Sequence, residues 1–185
     1  VMMITFGIFS RPSVSTYAAK TINQLSKFSS ISPIFLHPEL PGNNKPKVSK
    51  KVVCQTFPTY RLRDPRNILT LFNIYRKIKY HTPDIIHIQC GHSWLSFLLP
   101  FIRNYVIVST IHDAEPHSGE NKFSTQFGTK AVIHSSDGII VHGNEQRKVL
   151  CEKFKVKKSK VYFNHLGFHG DSLSIFSEKV GISNE

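Results

Sequence analysis

The sequence predicts an α/β protein with a Rossmann-like, doubly wound sheet of about seven mostly parallel strands and helices on both faces. Short apolar runs alternate along the chain with segments of helical periodicity, as expected for strands joined by crossover helices. The chain has 185 residues, of which 40% are hydrophobic and 19% charged, so it can bury a core of its own. We expect one Rossmann-like domain over residues 1–170, followed at residues 171–185 by a frayed tail or the start of an interdomain linker.

The first half of the chain contains four predicted strands and two predicted helices. The first strand is expected at "MMITFGIF", and the apolar spacing from Val14 to Phe28 predicts the first helix. The second and third strands are expected at "SPIFLH" and "KVVCQTF", with a proline-rich loop between them. One apolar face predicts a second helix at "NILTLFNIYRKIKY", and a fourth strand follows at "DIIHIQ".

The second half continues the alternation. A short helix is expected at "SWLSFLLPFI", and Pro100 should kink it or end it early. Strands are expected at "YVIVSTI" and "GIIVH", with a helix from about Lys122 to Ser135 between them. The segment "NEQRKVLCEKF" predicts an amphipathic helix with Asn144 as its N-cap, and the last strand is expected at "KVYFNHL".

The charge balance favours anionic partners. Lys and Arg number 24 and Asp and Glu number 12, which gives a formal net charge of +12. Nucleotide phosphates, nucleic acid and an anionic membrane surface all fit such an excess. Much of it lies in the segments "KPKVSKK", "YRLRDPR" and "YRKIKY". The three cysteines are odd in number and have no CxxC spacing, which suits a reducing, cytoplasmic compartment.

Histidines follow several of the predicted strands. Gly91 and His92 follow "IIHIQC", His112 and Asp113 follow "IVSTI", and His142 follows "GIIV". Because the carboxyl ends of parallel strands meet at one edge of the sheet, these residues should surround one ligand cleft. Each histidine taken alone could do no more than hydrogen-bond a loop carbonyl, but the set favours a cleft.

A metal site after the fifth strand and an anion site before the first helix are two further possibilities. Side chains of metal-ligand type lie between residues 112 and 117, but their order fits neither an HExxH helix nor a cysteine site, so we expect no metal. The loop before the first helix could place an anion on helix N-terminal amides, with Ser13 or Ser15 as a cap and Arg11 as a charged contact. It contains no GxGxxG or Walker motif, and an ordinary helix cap is an equally good interpretation.

Three segments together resemble a known family. They are "PDIIHIQCGHSWLS", "VIVSTIHDAEPHSGE" and "SDGIIVHGNEQRKVLCEKFKVKKSKVYFNHLGF". They look like strand-and-loop segments of the N-terminal domain of family 4 retaining glycosyltransferases, which have the GT-B fold. The resemblance covers residues 83–168, with a fainter match at the first strand and helix.

The resemblance implies a two-lobed enzyme whose N-terminal lobe holds the acceptor and whose C-terminal lobe holds the nucleotide sugar. It implies that His112 faces the donor sugar and assists its binding and transfer. Asp113 and His117 would shape the adjacent loop, and Gly91 with His92 would line the acceptor side. The nucleotide sugar would be a substrate, and no further cofactor is implied. The glycine-rich turn of the family is replaced by Arg11 and Pro12, which weakens the case for close backbone approach to a donor phosphate.

Members of the family carry two glutamates eight positions apart in their second lobe. No two glutamates of this sequence have that spacing. The sequence is therefore expected to be a fragment, a truncated copy or one half of a split enzyme, inactive without a donor-binding lobe in cis or trans. Many relatives act on lipid-linked acceptors, which suits a peripheral position at the inner face of the membrane. The alternative is a non-catalytic binding or partner domain whose basic face meets an anionic membrane or nucleic acid. No helix-turn-helix or RNA-binding motif supports the nucleic-acid version.

Overall fold

A computed structural model describes most of the chain. The described residues are 1–5, 12–39, 46–89, 91–115 and 122–164, and within them the side chains of residues 12–16 and 122–125 are left out. The elements of these ranges, in chain order, are β1 (Met2–Thr5), α1 (Pro12–Leu25), β2 (Ile34–Pro38), β3 (Val53–Phe57), α2 (Asn67–His81), β4 (Ile85–Gln89), α3 (Ser93–Ile102), β5 (Val106–Thr110), α4 (Lys122–Ser135), β6 (Gly138–Val141), α5 (Asn144–Glu152) and β7 (Val161–Phe163).

The strands of the described chain form one sheet in which every pairing is parallel. Its order is β3-β2-β1-β4-β5-β6-β7, so the chain first builds outward from β1 to one edge and then crosses back to build the other half. This is the doubly wound arrangement that the sequence predicts. The predicted fold class is therefore confirmed.

The core lies on both faces of the sheet. Successive strand residues point to opposite faces, and in β1 Met3 belongs to one buried cluster while Met2 and Ile4 belong to the other. The Met3 face packs against α1 through Ala18 and Ile22. The opposite face packs against the remaining helices, with contributions that include Ile74, Leu95, Val132 and Leu150.

Several element boundaries differ from the sequence prediction. The first helix begins at Pro12 and ends at Leu25, so Phe28 lies outside it and is exposed. The reason is a tight turn in which the amides of Lys27 and Phe28 bond to carbonyls only three residues back. Proline in the first turn is compatible with a helix because its missing N–H would have no intrahelical acceptor there.

The structure corrects two expectations about helix ends. Of the two effects expected of Pro100, an early end of α3 is wrong, because the helix continues to Ile102, and a kink stays a prediction. Pro100 lies in the last turn, where its missing N–H removes a single bond. Asn144 is not the N-cap of α5 but its first residue: the cap is Gly143, in extended conformation, and its carbonyl accepts from the amide of Arg147 at 3.2 Å.

No helix of the described ranges is long and apolar enough to cross a membrane. The predicted cytoplasmic location stays a prediction. The predicted tail at residues 171–185 lies outside the described residues.

Candidate functional site

His112 and His142 lie side by side beyond the carboxyl ends of β5 and β6. The two strands pair in a register that places Thr110 opposite Ile140. His112 lies two residues after Thr110, and His142 lies two residues after Ile140. Because side chains alternate between faces along a strand, both histidines are on the same side of the sheet as Thr110 and Ile140. Their ring centroids are 5.0 Å apart, with an angle of 36° between the planes. Strand register therefore brings together two of the histidines that the sequence singled out.

Tyr17 of α1 completes a three-ring cluster with these histidines. Its ring meets His112 edge-on with centroids 5.1 Å apart, and it meets His142 edge-on at 5.2 Å. Burial raises the pKa of the Tyr17 phenol. Sequence reasoning missed this residue, since the helical spacing placed Tyr17 simply among the apolar positions of the first helix.

The surroundings of the two imidazoles determine the pKa of His112 and the hydrogen bonding of His142. Burial, followed by the neighbouring His142, lowers the pKa of His112, while Asp113 acts in the opposite direction. The neutral form of His112 is therefore favoured near neutral pH. The Nδ1 atom of His142 lies 2.8 Å from the backbone carbonyl of Asn164. A carbonyl only accepts, so Nδ1 of His142 carries a hydrogen and donates it to this carbonyl.

The Nε2 atoms of His112 and His142 are both buried, and neither has a hydrogen-bond partner among the described residues. Most buried polar atoms are satisfied, so two such atoms in adjacent rings mark a place where a ligand hydroxyl could be bound. Neutral imidazole offers one donor and one acceptor nitrogen. The pair can thus orient a hydroxyl-rich molecule or exchange a proton with it.

The segment after β5 is tied to α5. The backbone amide of Ala114 donates to Oε1 of Gln146 at 2.9 Å, and Glu115 forms an ion pair with Lys153. Asp113, which lies between His112 and Ala114, is exposed. These contacts fix the course of the backbone immediately after His112, and so help to hold its ring against His142.

His92 and Gly91 have clear structural roles. His92 caps α3, with its Nδ1 accepting from the amide of Trp94 at 3.2 Å, and burial lowers the pKa of His92 to about 4. A Cβ at Gly91 would lie 2.5 Å from Cα of Thr129, and one at Gly128 would lie 2.5 Å from the carbonyl carbon of His92. The loop between β4 and α3 therefore lies directly against α4. Contact of Gly91 or His92 with a ligand stays a prediction.

A buried polar row on the same sheet face was missed at the sequence level. His87 Nε2 lies 2.8 Å from the Thr110 hydroxyl and 3.3 Å from Nε2 of Gln89. Burial lowers the pKa of His87 to about 4, so its ring is neutral. The alternation within "IIHIQ" could have revealed the row, because His87 and Gln89 share one face while the isoleucines on either side of His87 share the other.

The remaining predicted residues cannot be placed in the site. Arg11 and His117 lie outside the described residues, and of Ser13 only the backbone, within α1, is described. In the described part of the chain, no group of three or more histidine, cysteine, aspartate or glutamate side chains could hold a metal ion. The two cysteines of that part, Cys54 and Cys151, are free thiols.

Comparison with known proteins gives one family match. The model described as Glycosyltransferase Family 4 matches residues 14–169, a range that includes Tyr17, His112 and His142. No curated protein sequence matches the chain.

Solved structures match the fold at low sequence identity. The UDP-GlcNAc 2-epimerase of Neisseria meningitidis, bound to UDP-GlcNAc, aligns with a TM-score of 0.67 at 12% identity over 98% of this chain and 50% of its own. A glycosyltransferase of Rickettsia africae aligns over 100% of this chain and 50% of its own, with a TM-score of 0.55 and 15% identity. The epimerase of Methanocaldococcus jannaschii, in complex with UDP-GlcNAc and UDP, gives a TM-score of 0.64 at 11% identity over 100% of this chain and 50% of its own. The chain thus spans about half the length of these proteins, as one Rossmann-like lobe of a GT-B fold.

Proposed function

Because the chain belongs to glycosyltransferase family 4, we propose that it is the acceptor-side half of a retaining glycosyltransferase. The complete enzyme would move a sugar from a nucleotide-sugar donor to a glycan or lipid-linked acceptor. The observation that carries the proposal is a pair of adjacent, partly buried imidazoles at the carboxyl edge of the sheet, whose Nε2 atoms are buried and have no hydrogen-bond partner in the described chain. Ligands of open α/β sheets bind at this edge. Two of the structurally similar proteins were solved with UDP-GlcNAc, which supports a nucleotide sugar as the donor class.

His112 is the residue to which we assign sugar contact. A neutral ring can hydrogen-bond a sugar hydroxyl without the repulsion that a fixed positive charge would exert on a developing oxocarbenium ion. Tyr17 and His142 act as positioning residues, since their rings contact the His112 ring from two sides. A C-terminal lobe, in cis or in trans, would bring the donor to this edge.

The test uses the complete protein with its second lobe, and UDP-GlcNAc as the first donor tried. His112→Ala should lower sugar transfer about a hundredfold or more, as expected when a hydrogen bond to the reacting sugar is lost in the transition state. The matched control is His134→Ala, which removes an exposed histidine of α4. Unchanged transfer by His112→Ala, in a protein with unchanged circular dichroism, would contradict the assignment.

The coding DNA on either side of the chain decides between the proposal and its alternative. A continuing or adjacent frame that encodes a second Rossmann-like lobe with paired glutamates would support the enzyme. A stop with no such neighbour would favour a binding or partner domain. Binding to nucleic acid would then fall steeply with added salt, whereas ligand binding between the histidines would not.

A further inference from the structure

A groove lined by apolar side chains runs between α2 and α3. Its volume is about 590 Å³, and it is open to solvent. The residues that line it are Ile68, Leu71, Phe72, Tyr75, Trp94, Phe97, Leu98 and Phe101. Five of these eight are aromatic, which is unusual for a surface that faces water.

The groove results from a second apolar face on each helix. Its residues recur on α2, and again on α3, at the three- and four-residue spacing of a helix face. The face that α2 buries against the sheet consists of other residues, among them Ile74 and Ile78. Leu98 is buried, but the aromatic side chains at the rim of the groove remain in contact with solvent: Phe72 is 60% exposed, Phe97 57% and Phe101 68%.

Four of the aromatic side chains of the groove form two pairs of rings in contact. The Trp94 ring lies 5.7 Å from that of Phe97, and the Tyr75 ring lies 6.3 Å from that of Phe101. The indole Nε1 of Trp94 donates to the carbonyl of Leu62 at 2.6 Å, which fixes the ring at the start of the groove. This bond holds the Trp94 ring in place before any partner arrives.

The surroundings of the groove carry positive charge. Neither α2 nor α3 contains an aspartate or glutamate. The guanidinium of Arg76 lies 6.0 Å from the centre of the Phe72 ring. Lys79 lies on the same helix face as Phe72 and Tyr75, one turn further along α2 than Tyr75, and Arg103 follows the last residue of α3. All three basic side chains belong to exposed residues.

We propose that the α2–α3 groove docks on the surface of an anionic lipid bilayer. Aromatic rings that enter the headgroup layer, flanked by Lys and Arg beside the lipid phosphates, are the combination that binds such a surface. A second copy of the chain fits less well, since a symmetric pair would bring the basic residues of both copies together. The inference does not rest on the proposed glycosyltransferase activity and can be tested without it.

Trp94 is the only tryptophan of the chain and lines the groove, so its fluorescence reports docking directly. The 185-residue chain would be titrated with vesicles of phosphatidylglycerol and, separately, with vesicles of phosphatidylcholine. We expect the emission to shift to shorter wavelength with the anionic vesicles and to change little with the neutral ones. No shift with anionic vesicles, or an equal shift with both kinds, would overturn the proposal.

Matched variants locate the surface in a vesicle co-sedimentation assay. Phe101→Ser should weaken partitioning about tenfold or more, from the loss of one buried aromatic ring. Phe28→Ser, which removes a ring of similar exposure outside the groove, should have no effect. Lys79→Ser should weaken partitioning about fivefold, while Lys157→Ser, remote in sequence from both helices, should change it less.

Two outcomes would refute the assignment of this surface. Equal losses for Phe101→Ser and Phe28→Ser would show that binding is not localised to the groove. A concentration-dependent shift of Trp94 emission without vesicles, together with dimers in size-exclusion chromatography, would show that a second copy occupies it instead. Circular dichroism of each variant confirms that the fold is retained.

Discussion

Replacing Gly91 by alanine should destabilise the protein, because the added methyl group has no room. A Cβ there would lie 2.5 Å from Cα of Thr129, 2.6 Å from its amide nitrogen and 2.8 Å from the carbonyl carbon of Gly128. All three are backbone atoms of α4, so rotation of a side chain cannot relieve the overlap with the added methyl group. The loop before α3 and helix α4 would have to separate.

The expected change in the free energy of unfolding of Gly91→Ala is the sum of two opposing effects. Gly→Ala at an unstrained position stabilises a protein by about 0.4–1 kcal/mol, through lower entropy of the unfolded chain. Overpacking costs typically about 1–3 kcal/mol, and contact with three backbone atoms belongs at or beyond the upper end of that range. We expect a net loss of about 2–3 kcal/mol in the free energy of unfolding. For a chain of this size, that loss lowers the thermal midpoint by about 5–10 °C.

The measurement is chemical denaturation followed by circular dichroism, with Gly143→Ala as the control. A Cβ at Gly143 would meet only Cγ of Gln146, at an ordinary 4.0 Å. Gly128→Ala should be as harmful as Gly91→Ala. The double variant should cost less than the sum, since one separation of the two segments relieves both contacts. A Gly91→Ala midpoint equal to that of Gly143→Ala would refute the close approach of the loop to α4.

Two further predictions concern ionisation and the ring cluster. Because the pKa of His87 falls to about 4 in the folded protein, the unfolded chain binds the extra proton between pH 6.5 and about 4. The contribution of His87 to stability should therefore be complete above pH 6.5 and fall by up to about 3 kcal/mol as the pH drops to 4, in addition to a similar contribution from His92. Denaturation over this range should show a smaller fall for His87→Gln, and an unchanged slope would contradict the prediction. Tyr17→Ala should expose His112 to water and raise its pKa towards the ordinary value, whereas Tyr17→Phe should leave that pKa nearly unchanged, because the ring remains. Proton NMR titration of the His112 ring distinguishes these results, and equal shifts in the two variants would argue against packing as the cause.

The sequence by itself predicted the sheet, its parallel strands and the presence of histidines at its carboxyl edge. These features depend on local patterns: the two-residue period of strands, the 3.6-residue period of helices and the position of polar residues directly after apolar runs. The α4 boundaries at Lys122 and Ser135 agree with the prediction. The helix ends near Phe28 and Asn144 do not, since single backbone bonds in the turns decide them.

Only the tertiary structure decided which of these residues meet. The order and register of β5 and β6 place His112 against His142, whereas His92 turns to cap its own helix. Tyr17 joins the pair from a helix whose sequence gives no sign of that contact. The aromatic groove likewise needs α2 and α3 side by side, although their sequences are separated by β4. Periodicity acts over a few residues, whereas strand order, register and helix packing depend on contacts between distant segments, and those contacts assemble both the candidate site and the proposed membrane surface.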